Sequence, residues 1–485
     1  MNHIAFSFNL EVMEPLVLQH VKRVLNGLPL YPEPSSEFVA LSYNPLYYYL
    51  CIPFVWLFGA NLFTLRLVAI LGMLGSGLVI FLEVHRATSS KWWGLMAIGL
   101  FAAAYRVMDT YLDNAFPESW MLFTVLLGCY LIDQSRLKSR NFAGVFLLVI
   151  AYWFKQPGAI FAVGGVIYLT WRDGGRKSWP LWLLAAALGP GLYFAAPPWL
   201  FGPRFHYFTW EVPRQWIQFD THNILRVMKL LVTSYLILAT IGFITSASAL
   251  LRLRSREINI WYFMFPMAAI SALPGLLDPE SANNLYILLG VWIIITGIQG
   301  LKQLVDLFSL VQRHSLHLLT LIVSYALLFY NPMLVIVSSQ AVGAYQDMVS
   351  YLKSLNGSIY APWTGQLQDD YRFYPTAHWV PMDDMIRGPG RNVHNHPNIR
   401  TLLEPVLLPK GKAFILMPFP LENDPMLDFL KKEYVLDTDL GERFVSLSPL
   451  PKRYNPGYPR YLYRYAPQEA AYQAQNSFHH SVTKR

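Results

Sequence analysis

Charged residues are scarce in this chain of 485 residues. They make up 14% of it and hydrophobic residues 54%, whereas a soluble globular domain carries roughly 25% charged residues. This composition excludes a cytosolic enzyme, a disordered chain and a nucleic-acid-binding domain. Cysteine is scarce as well, since Cys51 and Cys129 are the only two. Two cysteines cannot build a disulfide scaffold and neither stands at a metal-ligand spacing, so both are interpreted as apolar filler.

The basic excess of the chain is confined to one set of loops. The net charge of +8 resides in five short loops between apolar runs. Their basic residues are Arg86, Lys91, Arg136, Lys138, Arg140, Arg172, Arg176, Lys177, Arg252, Arg254, Arg256, Lys302 and Arg313. Their acidic residues are Glu83, Asp133, Asp173, Glu257 and Asp306. Such a bias follows the positive-inside rule of membrane proteins, which places these loops in the cytoplasm and predicts no nucleic-acid partner.

Apolar runs recur along the first two thirds of the chain, and most approach the ~20 residues needed to cross a bilayer. They stand at about 63–84, 92–106, 118–133, 141–154, 157–171, 179–198, 228–251, 258–277, 284–301 and 316–337. The fourth and fifth runs also allow one long helix with Lys155 in mid-membrane. A break at Lys155-Gln156-Pro157 is preferred, because it keeps both basic loops inside and Pro157 lacks a backbone donor. We therefore predict about ten transmembrane helices.

Ten crossings place the remaining polar segments together on the outer face. These segments are residues 1–62, 107–118, the Lys155 turn, 199–227, 278–284 and the chain after 337. Residues 338–465 predict a small α/β domain outside the membrane, with strands at 357–361 and 413–417 and helices at 342–355 and 425–434. Residues 1–337 form the predicted membrane domain, and the polar tail 466–485 is predicted to be disordered.

The first outer segment carries one group of candidate residues. Residues 15–26 predict an amphipathic helix at the interface with Lys22 and Arg23 on its polar side. Glu14 before it is a candidate base or metal ligand, and the two cations are candidate phosphate ligands. An ordinary solvated loop explains the same residues equally well.

The other outer turns carry a second group. Asp109, Asp113 and Glu118 lie within ten positions, suited to hold sugar hydroxyls, although Glu118 in a first helical turn also complements the helix dipole. Lys155 at a buried turn is a functional candidate, with snorkelling to the interface as the alternative. Asn284 belongs to a polar cap before an apolar helix. The His394-Asn395-His396 stretch lacks the company expected of a metal site.

Several of these motifs occur in the order found in a known family. They are Glu14, Gly27-x-x-x-Tyr31, Tyr43-Asn44-Pro45-Leu46-Tyr47, Phe58-Gly59, Arg66, Pro117-Glu118-Ser119, Phe154-Lys155-Gln156 and Asn283-Asn284-x-Tyr286. Residues 14–330 thus resemble the bacterial membrane glycosyltransferases of the GT-C fold, which are related to protein O-mannosyltransferases and the lipid A aminoarabinose transferase. Glu14 stands where that family usually has Asp, and Phe116-Pro117-Glu118 stands where it has Arg-Pro-Asp. Both changes keep the carboxylate.

The resemblance implies transfer of a sugar from a polyprenyl-phosphate donor to a lipid, glycan or protein acceptor. The reaction is expected at the outer face of the cytoplasmic (inner) membrane. It implies Glu14 as the base and places the substrate near Asp109, Asp113, Glu118 and Asn284. The implied phosphate ligands are Lys155, Arg66, Lys22 and Arg23. A divalent cation between Glu14 and the phosphate is compatible with the resemblance, but the sequence shows no dedicated metal cage.

Two other classes of protein compete with this interpretation. A transporter or flippase for a lipid-linked saccharide predicts inverted repeats and broken helices near mid-membrane, and the sequence shows no internal repeat. A non-catalytic sensor built on the outer C-terminal domain would not require acidic residues in both outer loops. The enzyme is therefore the preferred hypothesis, with the transporter as the alternative.

The N-terminus departs from the resembled family. Residues 1–13 hold no apolar run near the ~20 residues of a span, whereas the family's acidic residue follows directly after a first transmembrane helix. We therefore expect the natural product to have about 20 more residues that form one further helix, giving eleven crossings. The alternative is that the short N-terminus is translocated together with the helix at 63–84.

Overall fold

A computed structural model describes most of the chain at side-chain level. It covers residues 2–133, 138–196, 198–252, 258–307, 310–364, 376–387, 399–407, 413–424, 426–444 and 458–467. Several residues discussed above lie outside these ranges, namely Arg136, Arg254, Arg256, Glu257, the His394–His396 stretch and the tail from 468.

The described part of the first 330 residues is almost entirely helical. Its α-helices are α1 Asn2–Ala5, α2 Glu14–Leu25, α3 Leu46–Phe58, α4 Leu62–Thr88, α5 Lys91–Ala103, α6 Glu118–Asp133, α7 Lys138–Phe154, α8 Gly158–Asp173, α9 Gly175–Ala186, α10 Leu192–Ala195, α11 Pro198–Phe201, α12 Val212–Arg214, α13 Thr221–Leu251, α14 Ile260–Phe263, α15 Phe265–Ser271, α16 Leu273–Leu276, α17 Ile287–Asp306 and α18 Leu310–Leu328. Single turns of π-helix occur at Ala187–Gly191 and Tyr207–Glu211, and 3-10 turns at Asn283–Tyr286 and Pro332–Leu334.

Four described helical segments are long and apolar enough to cross a membrane. They are Leu62–Thr88, Thr221–Leu251, Asn283–Asp306 and His317–Leu334. Shorter apolar helices occur at Leu46–Phe58, Lys91–Ala103 and Ile260–Leu276. These features make the chain a mostly helical membrane protein, and the count of about ten crossings stays a prediction.

The predicted break at Lys155-Gln156-Pro157 is confirmed. Helix α7 ends at Phe154 and α8 begins at Gly158, so Pro157 stands just before the new helix, where its missing N–H costs nothing. The amphipathic helix predicted at 15–26 is also present as α2. The apolar helix α3 was not predicted, because its run of 13 residues falls short of a span and lies in a segment assigned to the outer face.

Close packing of α6 against α7 depends on two glycines. A Cβ added at Gly128 would lie 2.9 Å from the Gly144 carbonyl oxygen, and one added at Gly144 would lie 2.8 Å from the Gly128 carbonyl oxygen. The two backbones therefore touch directly, as small residues allow in membrane helices. This contact fixes α6, which begins at Glu118, relative to α7, which leads to Lys155.

The described C-terminal residues contain a four-stranded sheet with short helices. The strands are β1 Ile359–Tyr360, β2 Phe414–Met417, β3 Tyr434–Asp439 and β4 Tyr461–Tyr465, and the helices are α19 Ser339–Ser354, α20 Trp379–Ile386, α21 Ile399–Leu407 and α22 Leu440–Arg443. Further 3-10 turns lie at Leu421–Asn423 and Asp428–Lys432. The strand order is β1-β2-β4-β3, with β1 parallel to β2 and the other pairs antiparallel. Phe8 stacks on Tyr345 of α19 at 4.3 Å, which joins the N-terminal segment to this part.

The polar segments assigned to the outer face gather at one end of the helices. The Ala377 backbone N–H donates to the Ser36 carbonyl at 2.8 Å, and the Asn283 N–H donates to Asp109 at 2.8 Å. Glu83 lies seventeen residues beyond Arg66 on α4, about 25 Å away at the rise of an α-helix. We call the end that contains Asp109 and Asn283 the polar end. It carries the candidate site.

Candidate functional site

A fully buried ion pair joins the first segment to helix α4. Glu14 opens α2, Arg66 lies near the start of α4, and both are 0% exposed. The guanidinium donates from Nε to Oε1 at 2.8 Å and from Nη2 to Oε2 at 2.7 Å. The backbone N–H groups of Leu10 and Ala115 donate to the same carboxylate at 2.7 and 3.1 Å. Each oxygen of Glu14 thus accepts two hydrogen bonds.

The other donors of Arg66 are occupied too. Nη1 donates to the carbonyls of His3 and Phe6, and Nη2 donates also to the carbonyl of Phe8. A guanidinium has five N–H donors, and these contacts together with those to Glu14 use all five. Arg66 is predicted above to bind phosphate, but in this arrangement it holds the N-terminal segment and offers no donor to a ligand.

The surroundings of Glu14 also make it a weak base. Burial alone would raise the pKa of its carboxyl, but the Arg66 charge and the hydrogen bonds outweigh burial and lower that pKa below its ordinary value. A carboxylate that is stabilised in this way has little tendency to take a proton. The contacts therefore fit an anchor better than the base predicted from the sequence, a role that stays untested.

A second buried centre brings three predicted site residues together. Lys155 Nζ donates to Glu118 Oε1 at 2.5 Å, and Asn284 Nδ2 donates to the same oxygen at 2.7 Å. The three residues are 5%, 0% and 7% exposed, respectively. We call them the Glu118 centre. Glu118 Oε2 is buried and has no hydrogen-bond partner among the described residues. A buried carboxylate oxygen left in this state is costly, and it remains able to accept a hydrogen bond.

Tyr43 and Glu11, which the sequence argument did not assign to the site, lie beside this centre. The Lys155 ammonium lies 4.8 Å from the centroid of the Tyr43 ring, within cation–π range. The Tyr43 hydroxyl donates to Met13 Sδ at 3.8 Å, and the Met13 N–H donates to Glu11 Oε2 at 2.6 Å. Burial raises the pKa of Tyr43 well above its ordinary range, and the nearby charges of Glu118, Glu11 and Asp384 raise it further. Its position three residues before Glu14 is the signal in the sequence that could have identified Glu11.

The two aspartates of the second outer loop face different partners. Asp109 accepts from the Asn283 backbone N–H at 2.8 Å and from its side-chain amide at 3.2 Å. Asp113 accepts from the Tyr105 hydroxyl at 2.7 Å and contacts His3 Nδ1 at 3.0 Å. Asp109 thus borders the Glu118 centre through Asn283, whereas the contacts of Asp113 tie the loop to the N-terminal segment.

Lys22 and Arg23 lie along α2, both only partly exposed. Arg23 Nε donates to the Pro29 carbonyl at 2.9 Å, and its guanidinium lies 4.2 Å from the centroid of the Phe38 ring. The eight residues from Glu14 to Lys22 correspond to about 12 Å along a helix. Lys155, one of the four predicted phosphate ligands, has its described contacts in the Glu118 centre.

A short segment of the C-terminal part lies next to this site. We call residues 376–387, which include α20, the strap. Arg387 forms ion pairs with Asp278 at 3.5 Å, Glu280 at 3.1 Å and Asp384 at 3.2 Å. Its guanidinium stands 4.2 Å from the centroid of the Trp216 ring, and the Trp216 indole donates to the Asp384 carbonyl at 2.9 Å. Arg387 thus fastens the strap to two loops of the membrane part.

An apolar groove opens near the Glu118 centre between α3, α7 and the turns after α9. It has a volume of about 210 Å³ and an apolar lining. Its lining residues include Pro45, Leu46, Phe146, Ile150, Trp153 and Leu188. Pro45 stands two positions after Tyr43 and Trp153 two positions before Lys155, so two of the chain segments that line the groove lead to the Glu118 centre. Among the described residues, no three His, Cys, Asp or Glu side chains come together as metal ligands.

The comparisons with known proteins found similar solved structures but no similar sequence. No family model and no curated protein matches this sequence. Among solved structures, the Archaeoglobus fulgidus oligosaccharyltransferase in its apo form is 11% identical, with a TM-score of 0.50 over 86% of this chain and 67% of that chain. ArnT from Cupriavidus metallidurans in the apo state is 15% identical, with a TM-score of 0.43 over 72% of this chain and 61% of that chain. ArnT bound to undecaprenyl phosphate is 13% identical, with a TM-score of 0.44 over 76% of this chain and 81% of that chain.

This chain has the GT-C fold. The resemblance predicted from residues 14–330 is thereby confirmed at the level of the fold, and the GT-C fold found here extends over 86% of the chain. At identities of 11 to 15%, the likeness establishes the fold alone. The chain also spans only 61% of the length of apo ArnT.

Proposed function

We propose that this protein is a glycosyltransferase that moves a sugar from a polyprenyl-phosphate donor to a hydroxyl-bearing acceptor. The observation that carries the proposal is the Glu118 centre. There a buried lysine meets a buried carboxylate, one oxygen of which has no hydrogen-bond partner among the described residues, and two chain segments that line an apolar groove lead to this pair. The GT-C fold, shared with an oligosaccharyltransferase, supports the same class of reaction.

The Lys155 ammonium supplies the positive charge that this reaction needs. The donor bond between the anomeric carbon and the phosphate oxygen breaks, and its electron pair stays on the phosphate. An ammonium has three N–H donors, of which the contact to Glu118 uses one. The others are available for the phosphate oxygens. Since the site is buried, this charge stabilises the leaving group more strongly than it would in water.

Glu118 Oε2 is the proposed acceptor of the proton. The acceptor hydroxyl binds this oxygen, attacks the anomeric carbon, and passes its proton to the carboxylate as the new C–O bond forms. Lys155 and Asn284 hold Oε1, which fixes the carboxylate plane. Glu14, predicted above to be the base, keeps the role of an anchor in this scheme. Glu11 is a further carboxylate whose charge acts on Tyr43.

The apolar groove suits the donor's hydrocarbon tail. A polyprenyl chain is anchored in the bilayer and places its phosphate near the headgroups, so an apolar groove must lead to the cation. The groove is lined by Pro45 and Trp153, which stand two positions from Tyr43 and Lys155 in the sequence, and this supports the assignment. We assign the tail to this groove and the phosphate to Lys155.

The proposed location is the cytoplasmic membrane, with the polar end and the C-terminal part outside. Single cysteines at Gly441 and Ser139, both exposed positions, test this orientation against a low background, since Cys51 and Cys129 are buried. We expect an impermeant thiol reagent to label the Gly441→Cys protein in cells with a permeabilised outer membrane. Protection there, with labelling of Ser139→Cys, would invert the orientation and overturn the outer location of the site.

A transfer assay tests the proposed activity. The purified protein in lipid nanodiscs is incubated with polyprenyl-phosphate sugars labelled in the sugar, with and without an envelope extract as acceptor source. We expect label to enter a product and unlabelled polyprenyl phosphate to appear in equal amount. Movement of intact labelled donor across vesicle membranes, with no cleavage, would instead identify a transporter.

A further inference from the structure

Two consecutive residues of the second outer loop have strained backbones. Asp109 has a φ of +51° and Thr110 a φ of +61°, both in the left-handed region. A β-branched residue there is a genuine outlier, and such a backbone persists only where the surrounding structure holds it. Thr110 is 5% exposed, and its hydroxyl has no hydrogen-bond partner among the described residues. The local sequence does not favour this turn, so contacts elsewhere must hold it.

The contacts of Asp109 supply that constraint. Its two oxygens accept from the backbone N–H and the side-chain amide of Asn283, at 2.8 and 3.2 Å. Arg226 of α13 holds Asn283 from the other side, donating to its Oδ1 at 3.2 Å and to the Ser281 carbonyl at 3.1 Å. Asn283 is thus fixed between a carboxylate and a guanidinium that come from distant parts of the chain.

Asn284 is the next residue and belongs to the Glu118 centre. It donates to Glu118 Oε1 at 2.7 Å, on the same oxygen that accepts from Lys155. Asn283 and Asn284 lie in one short 3-10 turn, Asn283–Tyr286, so the position of one backbone sets the position of the next. A displacement of Asn283 is therefore transmitted directly to the carboxylate.

We propose that Asp109 is a positioning residue that acts on Glu118 through Asn283 and Asn284. The strained turn aims the Asp109 carboxylate at Asn283, and the resulting register of Asn284 keeps Glu118 Oε1 occupied and Oε2 free for the substrate. This inference rests on the proposed function and changes the role predicted for Asp109 from binding substrate to orienting the carboxylate. Loss of orientation by about 1 Å reduces a rate by about 10²-fold without weakening binding.

A double-mutant cycle between Asp109 and Asn284 tests the inference. Asp109→Asn places an amide opposite the Asn283 amide, and Asn284→Ala removes the donor to Glu118. We expect each single variant to lower kcat by about 10- to 100-fold with KM for the donor changed less than about twofold, and the double variant to be no slower than Asn284→Ala. Additive losses of kcat, or a change confined to KM, would overturn the proposal that Asp109 acts through Asn284.

A matched control separates positioning from folding. Asp424 is fully buried, more completely than Asp109, and accepts backbone N–H bonds from Met426 and Leu427, but it lies in the C-terminal part. Asp424→Asn is expected to lower the melting temperature at least as much as Asp109→Asn and to leave kcat within about twofold of wild type. An equal loss of kcat in both variants would mean that the Asp109 effect is a loss of stability.

The reactivity of Lys155 provides a readout that does not depend on transfer. Its rate of acylation by an amine reagent, followed by mass spectrometry, is expected to rise at least about fivefold in Asp109→Asn and in Asn284→Ala, with no further rise in the double variant. If this pattern is found but the wild-type protein transfers no sugar, the proposed function is wrong and the positioning role of Asp109 still holds. An unchanged rate of Lys155 acylation in Asp109→Asn would overturn the positioning role of Asp109 even if the transferase is active.

Discussion

Arg66 and Glu14 form a closed, two-fold hydrogen-bonded pair with no exposed atom, 52 positions apart in the sequence. The pair lies where α2 meets α4, and Arg66 also fastens the carbonyls of His3 and Phe6. Removing one partner of such an ion pair destabilises the fold strongly, because the charge of the other partner stays buried without compensation. Its removal is therefore expected to affect stability before chemistry.

Glu14→Gln should destabilise the protein strongly. Breaking a buried pair costs about 3–5 kcal/mol, so we expect a much lower melting temperature in detergent, and Arg66→Met added to Glu14→Gln should recover part of the loss. Tryptophan fluorescence on heating measures both. A Glu14→Gln protein that melts like wild type but transfers no sugar would restore Glu14 as the catalytic base.

Lys155 should determine binding of the phosphate. We expect Lys155→Ala to raise the Kd for polyprenyl phosphate at least about tenfold, since a desolvated charge-assisted hydrogen bond contributes roughly 1.5–3 kcal/mol. Lys155→Arg should retain part of the affinity because it keeps the charge. Titration of the protein with polyprenyl phosphate measures the effect, and Arg23→Ala is the matched control on α2. Equal affinities of Lys155→Ala and wild type would remove Lys155 from the phosphate site.

The strap should loosen as the pH rises. Burial raises the pKa of Asp384 to about 7, because the opposing charge of Arg387 is shared with the like charges of Asp278 and Glu280. A carboxyl whose pKa is raised in the folded state stabilises the fold fully when the pH is below its unfolded-state pKa, near 4. This stabilisation is lost as the pH rises through the folded-state pKa of about 7. The protection factors of residues 376–387, which are exchange rates corrected for the intrinsic effect of pH, should therefore fall between pH 6 and pH 8, by about tenfold for one unit of pKa difference.

An isosteric neutral side chain provides the control for this pH dependence. Asp384→Asn mimics the protonated carboxyl. Its strap should therefore exchange slowly, with the same protection factors at both pH values. A pH dependence in Asp384→Asn equal to that of wild type would assign the effect to another group.

Thr110→Gly should stabilise the protein although it removes a buried side chain. Glycine adopts a positive φ at no steric cost, and the Thr110 hydroxyl lacks a partner among the described residues. Relief of the left-handed backbone is expected to contribute about 1–2 kcal/mol. Thr110→Ala is the matched control, because alanine loses the hydroxyl and keeps the strain. A melting temperature of Thr110→Gly at or below that of Thr110→Ala would show that the turn is not strained.

Local features of the structure follow from the sequence, and distant pairings do not. The start of α6 at Glu118 and the break before Gly158 were predictable, because a helix-opening carboxylate and a proline act within a few positions. The apolar helix α3 was missed, because its 13 residues resemble a core helix as much as a membrane helix. The order of motifs also predicted the GT-C fold correctly.

The site was predictable as a group of segments but not as a set of contacts. Positive-inside counting brought Glu14, Glu118, Lys155 and Asn284 to one end, where the structure has them. It could not say that Arg66 neutralises Glu14 while Lys155 neutralises Glu118, since either cation fits either carboxylate by charge alone. Glu11 entered the site only through the turn that joins it to Met13 and Tyr43.

The most direct test is the rate of sugar transfer by Glu118→Gln beside a matched control. Asp133→Asn changes a largely buried carboxylate at the other end of the same helix, where it pairs with Arg86. With labelled polyprenyl-phosphate sugar, we predict at least a 100-fold lower kcat for Glu118→Gln, on the order expected for a general base, and a rate within about threefold of wild type for Asp133→Asn. Transfer by folded Glu118→Gln at the wild-type rate would contradict the assignment of the site.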